Sequence, residues 1–308
     1  MFVAAVAALI VTVTGRVGST TWPFELITNF PVQMLLASGL VTLAALLARA
    51  RISLLLAGIC VVVSGLAVTG TLASDPRPAR PGGHRLTLGH LNAQTRRIDV
   101  DALGRYLQTT QPDIFVVLDP DQGDVDRLSH AAPGYIVSRT GSHRTPRPEY
   151  VRTVVLSRVP VDGVQHPDDA SFGASAVELT VKAGAPISVV VFGTESPTTP
   201  GRARVRNRTL AAAARWSSAR PARRIVMGDF NATPWSPPFR ALLHDGRLFS
   251  SLDGFGLQVS WPESNVLLRI PIDHALLGPG LAATDRGTGP AFGSQHRSLH
   301  LTITSRAK

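Results

Sequence analysis

The sequence predicts a mixed-sheet α/β sandwich behind an apolar N-terminal segment, and three observations support this prediction. Short apolar runs of strand character alternate with segments of helical periodicity from residue 85 onward. Strands outnumber helices, and several strands follow one another without a helix between them, which favours mixed sheets over a doubly wound parallel sheet. The first 73 residues carry almost no charge, which sets them apart from the rest of the chain.

Periodicity and turn signals place the individual elements. Strands are predicted at residues 85–92, 113–119, 152–158, 176–181, 187–193, 224–229, 272–278 and 300–305. Helices are predicted at residues 100–110, 205–219 and 236–246. The last helix begins with Ser236 and Pro237, a favourable start, and stops at Gly246. Together these elements predict one domain over residues 85–308.

The first part of the chain, residues 1–73, predicts two to three transmembrane helices. Residues 52–73 and 30–48 contain no charged side chain and are long enough to cross the hydrocarbon core of a bilayer. Residues 1–15 are also apolar but fall short of the ~20 residues that a spanning helix needs. This segment lacks the basic start and the convincing cleavage site of a signal peptide, so it is a poor candidate for one.

The loop between the two longer apolar runs predicts the orientation. Arg49 and Arg51 make that loop basic, and the positive-inside rule places it in the cytoplasm. Residues 74–84 form a Pro/Gly-rich linker that could hold the domain roughly 30 Å from the membrane. We therefore expect a multi-pass protein of the cell membrane, with the lipid bilayer as a partner and the C-terminal domain on the extracytoplasmic side.

Composition restricts the classes of function. The chain holds 31 Lys and Arg against 21 Asp and Glu, a net charge of +10, which suits a phosphate-bearing ligand or an anionic membrane surface, and equally a solvated face without a ligand. Residues 140–152 form a basic loop for an anionic group, or a solvated turn. The single cysteine, Cys60, excludes an intrachain disulfide. The apolar spans carry no ionisable pathway residue, which argues against a transporter.

Side chains of catalytic type stand at the ends of the predicted strands. They are Asn92, Asp119, Asp229, Asn231, Asp273, His274 and His296. Each one alone is as readily a turn, cap or hydrogen-bonding residue, but their order along the chain predicts that they share one edge of the sheets. Oxygen ligands of this kind suit Mg²⁺ or Mn²⁺, which would bind a phosphoryl oxygen and activate a water molecule. The pattern therefore predicts metal-assisted hydrolysis of a phosphate ester.

Several motifs in this order resemble the endonuclease/exonuclease/phosphatase superfamily. They are LNAQ at 91–94, QPDIFVVLD at 111–119, GDFNATPWSPPF at 228–239, IDHALL at 272–277 and GSQHRSLHLTI at 293–303. The resemblance covers about residues 85–305 and implies a four-layer αββα sandwich with helices outside two mixed sheets. The apolar N-terminal spans are similar to those of membrane-anchored bacterial members with a deoxyribonuclease- or sphingomyelinase-like domain.

The resemblance also implies a role for each catalytic residue. Asp229 would position or deprotonate the attacking water, and Asn231 would hold a phosphoryl oxygen in the transition state. His296 would bind the phosphate as a cation that Asp273 orients. Asp229 and Asn231 are two residues apart on an extended segment, so both side chains can reach one phosphate.

The same resemblance assigns metal and substrate contacts. Asp119 would be the main protein ligand to Mg²⁺ or Mn²⁺, with Asn92 helping to position metal or phosphate. Asn92, Asn231 and His296 would bind the substrate. Nucleic acid, phospholipid and sugar phosphate all remain open as the phosphate ester, and no obligate protein partner is evident.

Three positions depart from the superfamily pattern. Asp119 stands where a Glu is usual, Glu195 stands where nucleases have a His, and Gln295 replaces the acid before His296. These departures leave two interpretations. The first is a membrane-tethered, metal-dependent phosphoric ester hydrolase. The second is a degenerate domain that binds a phosphorylated lipid, a wall component or a protein partner without cleaving it.

Overall fold

The N-terminal part of the chain forms a bundle of apolar helices. The computed structural model describes residues 2–17, 21–141, 151–182 and 184–307. The N-terminal helices are α1 (Phe2–Val17), α2 (Phe24–Ile27), α3 (Pro31–Leu47) and α4 (Arg51–Leu72). Helices α1 and α3 both pack along α4. Large apolar side chains cover the exposed faces of α1, α3 and α4.

One helix in the described part of the chain is long and apolar enough to cross a membrane. It covers Arg51–Thr71 and has a mean hydropathy of 2.4. The other two apolar helices, Phe2–Thr14 and Pro31–Leu47, are shorter than a usual span. Helix α3 ends at Leu47 because Arg49 has a left-handed backbone with φ of 53°, which reverses the chain into α4.

Two six-stranded sheets form the C-terminal domain. The strands are β1 (Leu86–Asn92), β2 (Ile114–Leu118), β3 (Ile136–Thr140), β4 (Thr153–Ser157), β5 (Val161–Gln165), β6 (Val177–Val181), β7 (Ile187–Gly193), β8 (Arg224–Asp229), β9 (Phe249–Ser250), β10 (Asp273–Leu277), β11 (Leu281–Thr288) and β12 (Leu299–Ser305). The first sheet has the order β11-β12-β1-β2-β4-β3 and the second β5-β6-β7-β8-β10-β9. The pairs β1–β2 and β7–β8 are parallel, so both sheets are mixed.

Helices cover the outer faces of both sheets. They are α5 (Val100–Thr110), α6 (Gln122–Ala131), α7 (Pro200–Ser218) and α8 (Pro237–Asp245). One apolar core lies between the sheets, and two further cores lie under α5 and α6 and under α7 and α8. This arrangement confirms the four-layer αββα sandwich. It also explains why β2 is a continuous apolar run, because layers cover it on both faces.

Helix α5 shows how closely local sequence determines an element here. Leu103 and Leu107, one turn apart, face the core, and the polar residues between them face solvent. Asp99 caps the first turn, since its carboxylate accepts a hydrogen bond of 2.9 Å from the backbone N–H of Ala102. The predicted bounds, residues 100–110, are those of the structure.

The Pro/Gly segment at residues 74–84 packs against the domain and is not a free spacer. The N–H of Arg80 donates to the carbonyl of Ser305 at 2.9 Å, and the N–H of Ala307 donates to Pro78 at 3.0 Å. The guanidinium of Arg77 lies 3.5 Å from the ring centre of Phe249. The backbone of this segment therefore hydrogen-bonds to the last strand and extends the edge of the domain. The Pro/Gly-rich composition did not predict this packing.

The helical segment also contacts the domain close to the carboxyl end of β8. The side chain of Asn29 accepts hydrogen bonds from the backbone N–H of Thr233, at 3.0 Å, and from its hydroxyl, at 2.9 Å. The indole N–H of Trp235 donates to the carbonyl of Ala67 at 3.1 Å. The loop after β8 is thus held from both α2 and α4.

Candidate active site

The side chains predicted at the strand ends meet at one edge of the two sheets. The parallel strands β1 and β2 end there, and so do the parallel strands β7 and β8. Strand β10 is antiparallel to β8 and begins at this edge, so Asp273 lies opposite Asp229. The amide of Asn92 donates to Oδ2 of Asp229 at 2.9 Å and joins the two sheets. The residues brought together are Asn92, Asp229, Asn231, Asp273 and His296.

The backbone around Asp229 is shaped for this position. A Cβ on Gly228 would lie 1.9 Å from the carbonyl oxygen of Phe192, and its φ is 137°, so only glycine fits there. Asn231 has a φ of 45°, a left-handed conformation that asparagine tolerates better than most residues. The backbone N–H of Asn231 donates to Oδ1 of Asp229 at 2.9 Å, which closes the turn.

A buried pair of His296 and Asp273 forms one side of the site. Nδ1 of His296 lies 2.8 Å from Oδ2 of Asp273, and both side chains are almost completely buried. The hydroxyl of Ser260 accepts a hydrogen bond from the backbone N–H of Asp273 at 3.1 Å. The carboxylate of Asp273 therefore keeps Nδ1 of His296 protonated and fixes the orientation of the ring.

Asp229 lies next to this pair and collects amide donors. Its Oδ2 accepts hydrogen bonds from the amides of Asn92, at 2.9 Å, and Asn231, at 3.1 Å. The same Oδ2 is 3.7 Å from Nε2 of His296. The amide of Asn231 also donates to the carbonyl of Thr194 at 3.0 Å, so its direction is fixed from two sides.

The charges of these groups follow from burial and from one another. Burial alone lowers the pKa of His296, but the carboxylates of Asp273 and Asp229 outweigh burial and raise it to about 9. Burial raises the pKa of Asp273, and the charge and hydrogen bond of His296 more than offset this, so that the pKa of Asp273 lies below its ordinary value. Burial raises the pKa of Asp229 to about 7, and His296 opposes that shift. His296 is thus a cation at neutral pH.

Two residues near this cluster, Gln94 and His90, were not predicted from the sequence. Nε2 of Gln94 lies 2.8 Å from Nε2 of His296, and rotation of the amide by 180° would put the Gln94 oxygen there to accept the second proton of the imidazolium. His90 is fully buried, with Nε2 3.6 Å from Oδ1 of Asp273, and burial lowers its pKa to about 4. His90 stands in the middle of β1, where its position in the sequence gives no functional signal.

A buried ion pair supports the turn at residues 229–231 from behind. Arg206 on α7 donates from Nη1 to the carbonyl of Asn231 at 2.6 Å and forms a buried salt bridge with Glu25 of α2. Glu25 is the one acidic residue among the first 73. A lone carboxylate in an apolar segment needs a partner, and this was the signal available in the sequence.

An open cavity of about 550 Å³ lies beside the buried cluster. Its lining includes Asn92, Asp119, Arg152, Glu195 and Arg208. Nη1 of Arg152 lies 3.4 Å from Oδ1 of Asp119. Burial raises the pKa of Asp119, and hydrogen bonds from Ser175 and Arg152 partly offset it. The cavity therefore presents two carboxylates, Asp119 and Glu195, beside two basic side chains, Arg152 and Arg208.

The two predicted metal residues line this cavity. Asn92 ends β1, and Asp119 follows β2, the parallel strand beside it. One carboxylate and one amide oxygen suit Mg²⁺, which takes few protein ligands and keeps several water molecules. Ligand atoms of Asp229, Asp273 and His296 also lie within 4.8 Å of one another. However, His296 and Asp273 already bond to each other, which leaves that group a poorer site.

The remaining candidate residues lie away from the buried cluster. His274 turns from the edge, with Nε2 2.9 Å from the carbonyl of Ala232 and its ring 4.5 Å from that of Phe239, centre to centre. Burial lowers its pKa to about 3, so it is a neutral core residue. Glu195 is exposed and paired with Arg202 at 2.9 Å.

Two further predicted features are Gln295, the last of the three altered positions, and the basic loop. Gln295 is half-buried, and its carbonyl accepts a hydrogen bond of 2.8 Å from the N–H of Glu263. In the predicted basic loop at residues 140–152, residues 142–150 lie outside the described part of the chain.

Comparison with known families and structures gives a consistent result. Residues 87–296 match the model of the Endonuclease/Exonuclease/phosphatase family. The comparison with curated proteins gave no match. Among solved structures, an endonuclease/exonuclease/phosphatase family protein from Bacteroides thetaiotaomicron superposes with a TM-score of 0.59 at 13% identity, over 73% of this chain and 99% of that one.

Two further solved structures share this architecture. The mannosyl-6-phosphatase of B. thetaiotaomicron has a TM-score of 0.58 at 15% identity, over 71% of this chain and 99% of its own. TDP2 from D. rerio, complexed with single-strand DNA product, has a TM-score of 0.54 at 16% identity, over 71% and 99%. At these identities the likeness shows the fold.

Proposed function

From the finding that this chain belongs to the endonuclease/exonuclease/phosphatase family, we propose that it is a metal-dependent phosphoesterase in which Asp229 activates the attacking water. Members of this family are phosphoesterase hydrolases. The observation that carries the proposal is the buried cluster in which His296 pairs with Asp273 while Asp229 collects the amides of Asn92 and Asn231. Every predicted catalytic residue belongs to this cluster.

The cluster separates a base from a cation. A carboxylate with a pKa of about 7, as burial gives Asp229, is suited to accept a proton from water near neutral pH. His296, held as a cation by Asp273, would stabilise the negative charge that develops on the phosphoryl oxygens. The amide of Asn231 is a further donor for the same oxygens. Asp273 acts by holding His296 charged and oriented.

Asn92 and Asp119 would hold the divalent cation, Mg²⁺ or Mn²⁺. Such a cation, when bound, neutralises phosphate charge and lowers the pKa of a coordinated water. Arg152 and Arg208 line the same cavity and would bind the anionic part of a phosphate ester. Among the structural neighbours, one is a mannosyl-6-phosphatase and another is TDP2 in complex with single-strand DNA product, and both names involve a phosphate ester.

We also propose that the helical segment anchors the protein in the cell membrane, with the domain on the extracytoplasmic side. Three apolar helices whose outer faces carry exposed large side chains support this placement. The arrangement of the bundle agrees with it. Contacts of Asn29 and Gln33 with the domain put the start of α3 on the domain side, and the Arg49–Arg51 loop then lies at the other end.

The degenerate-domain alternative gains no support from the site. A binding domain that had lost catalysis would have no need to keep His296 charged against Asp273, at the cost of burying both groups. The three altered positions, 119, 195 and 295, all lie outside this pair. The geometry therefore favours an enzyme.

Hydrolysis by the full chain tests this proposal. We would compare the wild type with Asp229→Asn on a chromogenic phosphodiester and a chromogenic phosphomonoester, each with Mg²⁺, Mn²⁺ or a chelator. The expected result is metal-dependent turnover that falls by about 10³-fold in the variant, the loss expected on removal of a general base. The full chain is needed because truncation before residue 76 would leave Arg206 buried without Glu25.

Asp101→Asn is the matched control, since Asp101 is an exposed carboxylate on α5. It should keep wild-type activity. Turnover that is equal in Asp229→Asn and wild type, or no turnover with any metal and substrate, would exclude the proposed mechanism.

A further inference from the structure

The domain exposes an apolar turn beside the helical segment. The turn is a short 3₁₀ helix at Val266–Leu268, and its side chains are 69%, 77% and 50% exposed. Other large exposed apolar residues of the described domain are scattered singly. Three adjacent exposed apolar side chains on a loop mark a contact surface.

This turn lies level with the domain-side end of α3. The amide of Gln33, in the first turn of α3, donates to the carbonyls of Leu267 at 3.2 Å and Arg269 at 3.1 Å. One turn further along α3, an exposed apolar stripe begins at Leu36 and continues through Leu40. The exposed apolar stripe of α3 therefore continues in this turn of the domain, with Gln33 between them.

The same loop reaches the catalytic cluster. The ring of Trp261 lies 6.5 Å from that of His296, centre to centre. The N–H of Glu263 donates to the carbonyl of Gln295 at 2.8 Å, next to His296. The apolar turn is thus only a few residues from the site.

The other side of the site also touches the helical segment. The indole N–H of Trp22 donates to the carbonyl of Pro197 at 3.0 Å, two residues after the cavity residue Glu195. Nearby on α7, Arg204 and Arg208 are exposed, and Arg208 lines the cavity. Both loops that flank the site therefore contact the helical segment. The exposed side chains of Arg204 and Arg208 lie near the second of these loops.

From this continuity we infer that the Val266–Leu268 turn docks into the lipid surface beside α3, so that the site receives a phosphate ester carried by a membrane-resident amphiphile. This inference rests on the proposed membrane anchoring and hydrolysis. Apolar side chains at this depth lie in the interfacial region of a bilayer, while exposed Arg side chains bind anionic head groups.

Depth-dependent quenching tests the docking without any assay of activity. The full chain with Cys60→Ser would carry a single fluorophore on Leu267→Cys, in vesicles of three parts phosphatidylcholine to one part phosphatidylglycerol. Lipids with a spin label near the head group should quench it several-fold more than a fluorophore on Thr110→Cys, which is exposed at the opposite edge. Equal quenching at both positions would overturn the inference.

A third position separates this inference from its premise. Leu43→Cys, on the exposed stripe of α3, should be quenched by lipids labelled deep in the acyl chain. If Leu43→Cys is quenched and Leu267→Cys is not, the docking of the turn is wrong while the anchoring stands. If neither is quenched, both the anchoring and the docking are wrong.

Activity tests the substrate class. Substitution of all three turn residues by Ser should reduce hydrolysis of a phosphodiester held in vesicles by about tenfold and leave a water-soluble chromogenic ester unchanged. With the phosphodiester held in vesicles, the matched triple substitution to Ala should give a rate between those of the wild type and the Ser variant. Equal loss on both substrates, or no loss on either, would show that the turn does not deliver a membrane substrate.

Discussion

The buried cluster and the open cavity differ in every property that matters for catalysis. In the cluster, Asp229, Asp273 and His296 are buried and bond to one another. In the cavity, Asp119 and Glu195 are each paired with an arginine that reaches solvent. The positions that keep the superfamily pattern fall in the cluster, and two of the three altered positions fall in the cavity.

From this difference we expect the proposed chemistry and the proposed metal contact to respond differently to substitution. A buried network tolerates little change, because removal of one partner leaves another charge without compensation. A solvated cavity tolerates a shorter carboxylate, since water can fill the remaining coordination positions. We therefore expect substitutions in the cluster to lower activity far more than substitutions in the cavity.

After Asp229→Asn, the largest effect is expected for His296→Gln. Loss of the cation that faces the phosphoryl oxygens should lower kcat by about 10²- to 10³-fold, as removal of an oxyanion donor does elsewhere. Steady-state kinetics with a chromogenic ester would measure this. His300→Gln, a half-buried histidine on β12, is the control and should keep full activity. A His296→Gln variant within tenfold of wild type would contradict the role of the cation.

The second prediction compares two ion pairs that arginines of α7 form with carboxylates elsewhere in the chain. Glu25→Gln leaves Arg206 buried without its carboxylate and should lower the free energy of unfolding by about 3 kcal/mol. Glu195→Gln removes an exposed pair with Arg202 and should cost less than about 1 kcal/mol. Thermal unfolding of both full chains in the same detergent would measure the difference. Equal midpoints would show that Glu25 does not support the domain.

A third test compares two equally buried histidines by pH. The pKa of His274 is lowered to about 3, so the folded chain stays neutral there while the unfolded chain binds a proton below about 6.5. Its contribution makes stability fall as pH drops from 6.5 towards 3, by about 1.4 kcal/mol per pH unit. His274→Gln should flatten this acid limb in denaturation curves. An unchanged slope would contradict the neutral assignment.

His296 has the opposite sign. Its pKa is raised to about 9, so its stabilising contribution is complete below 6.5 and disappears as pH rises through 9. His296→Gln should therefore flatten the alkaline limb of the same denaturation curves.

The smallest effect is expected at Glu195. Because Glu195 is exposed and held by Arg202, Glu195→Gln should change kcat by less than about threefold, whereas a general acid contributes about 10²- to 10⁴-fold. A larger loss, measured on the same chromogenic ester, would show that Glu195 replaces the histidine of the superfamily pattern.

Much of the fold could be predicted because the central elements have strong periodic patterns. Helix α5 at residues 100–110 and strand β7 at residues 187–193 have their predicted bounds. Strands β3 and β5 were missed because they lie at sheet edges with exposed, polar residues. Helix α6 was missed because only a few apolar residues face its core. Such elements form through tertiary pairing rather than local preference.

The site could be predicted only where strand ends carry the signal. The candidate residues lie at or near strand ends: Asn92 and Asp229 end strands, Asn231 follows one, Asp273 opens one, and His296 lies shortly before β12. Parallel strands bring their ends to one edge. The pair of Glu25 and Arg206 joins residues 181 positions apart, which no local pattern reveals. The charge of His296 depends on two carboxylates that only the folded chain brings within 4 Å.

The most direct measurement is a metal titration of Asp229→Asn and Asp119→Asn beside wild type. The buried cluster should be indispensable, so Asp229→Asn should stay about 10³-fold below wild type at every Mn²⁺ concentration. Asp119→Asn should recover most of its activity as Mn²⁺ rises, because its defect is weaker metal binding. Recovery of Asp229→Asn by metal, with Asp119→Asn remaining inactive, would contradict the central role assigned to the cluster.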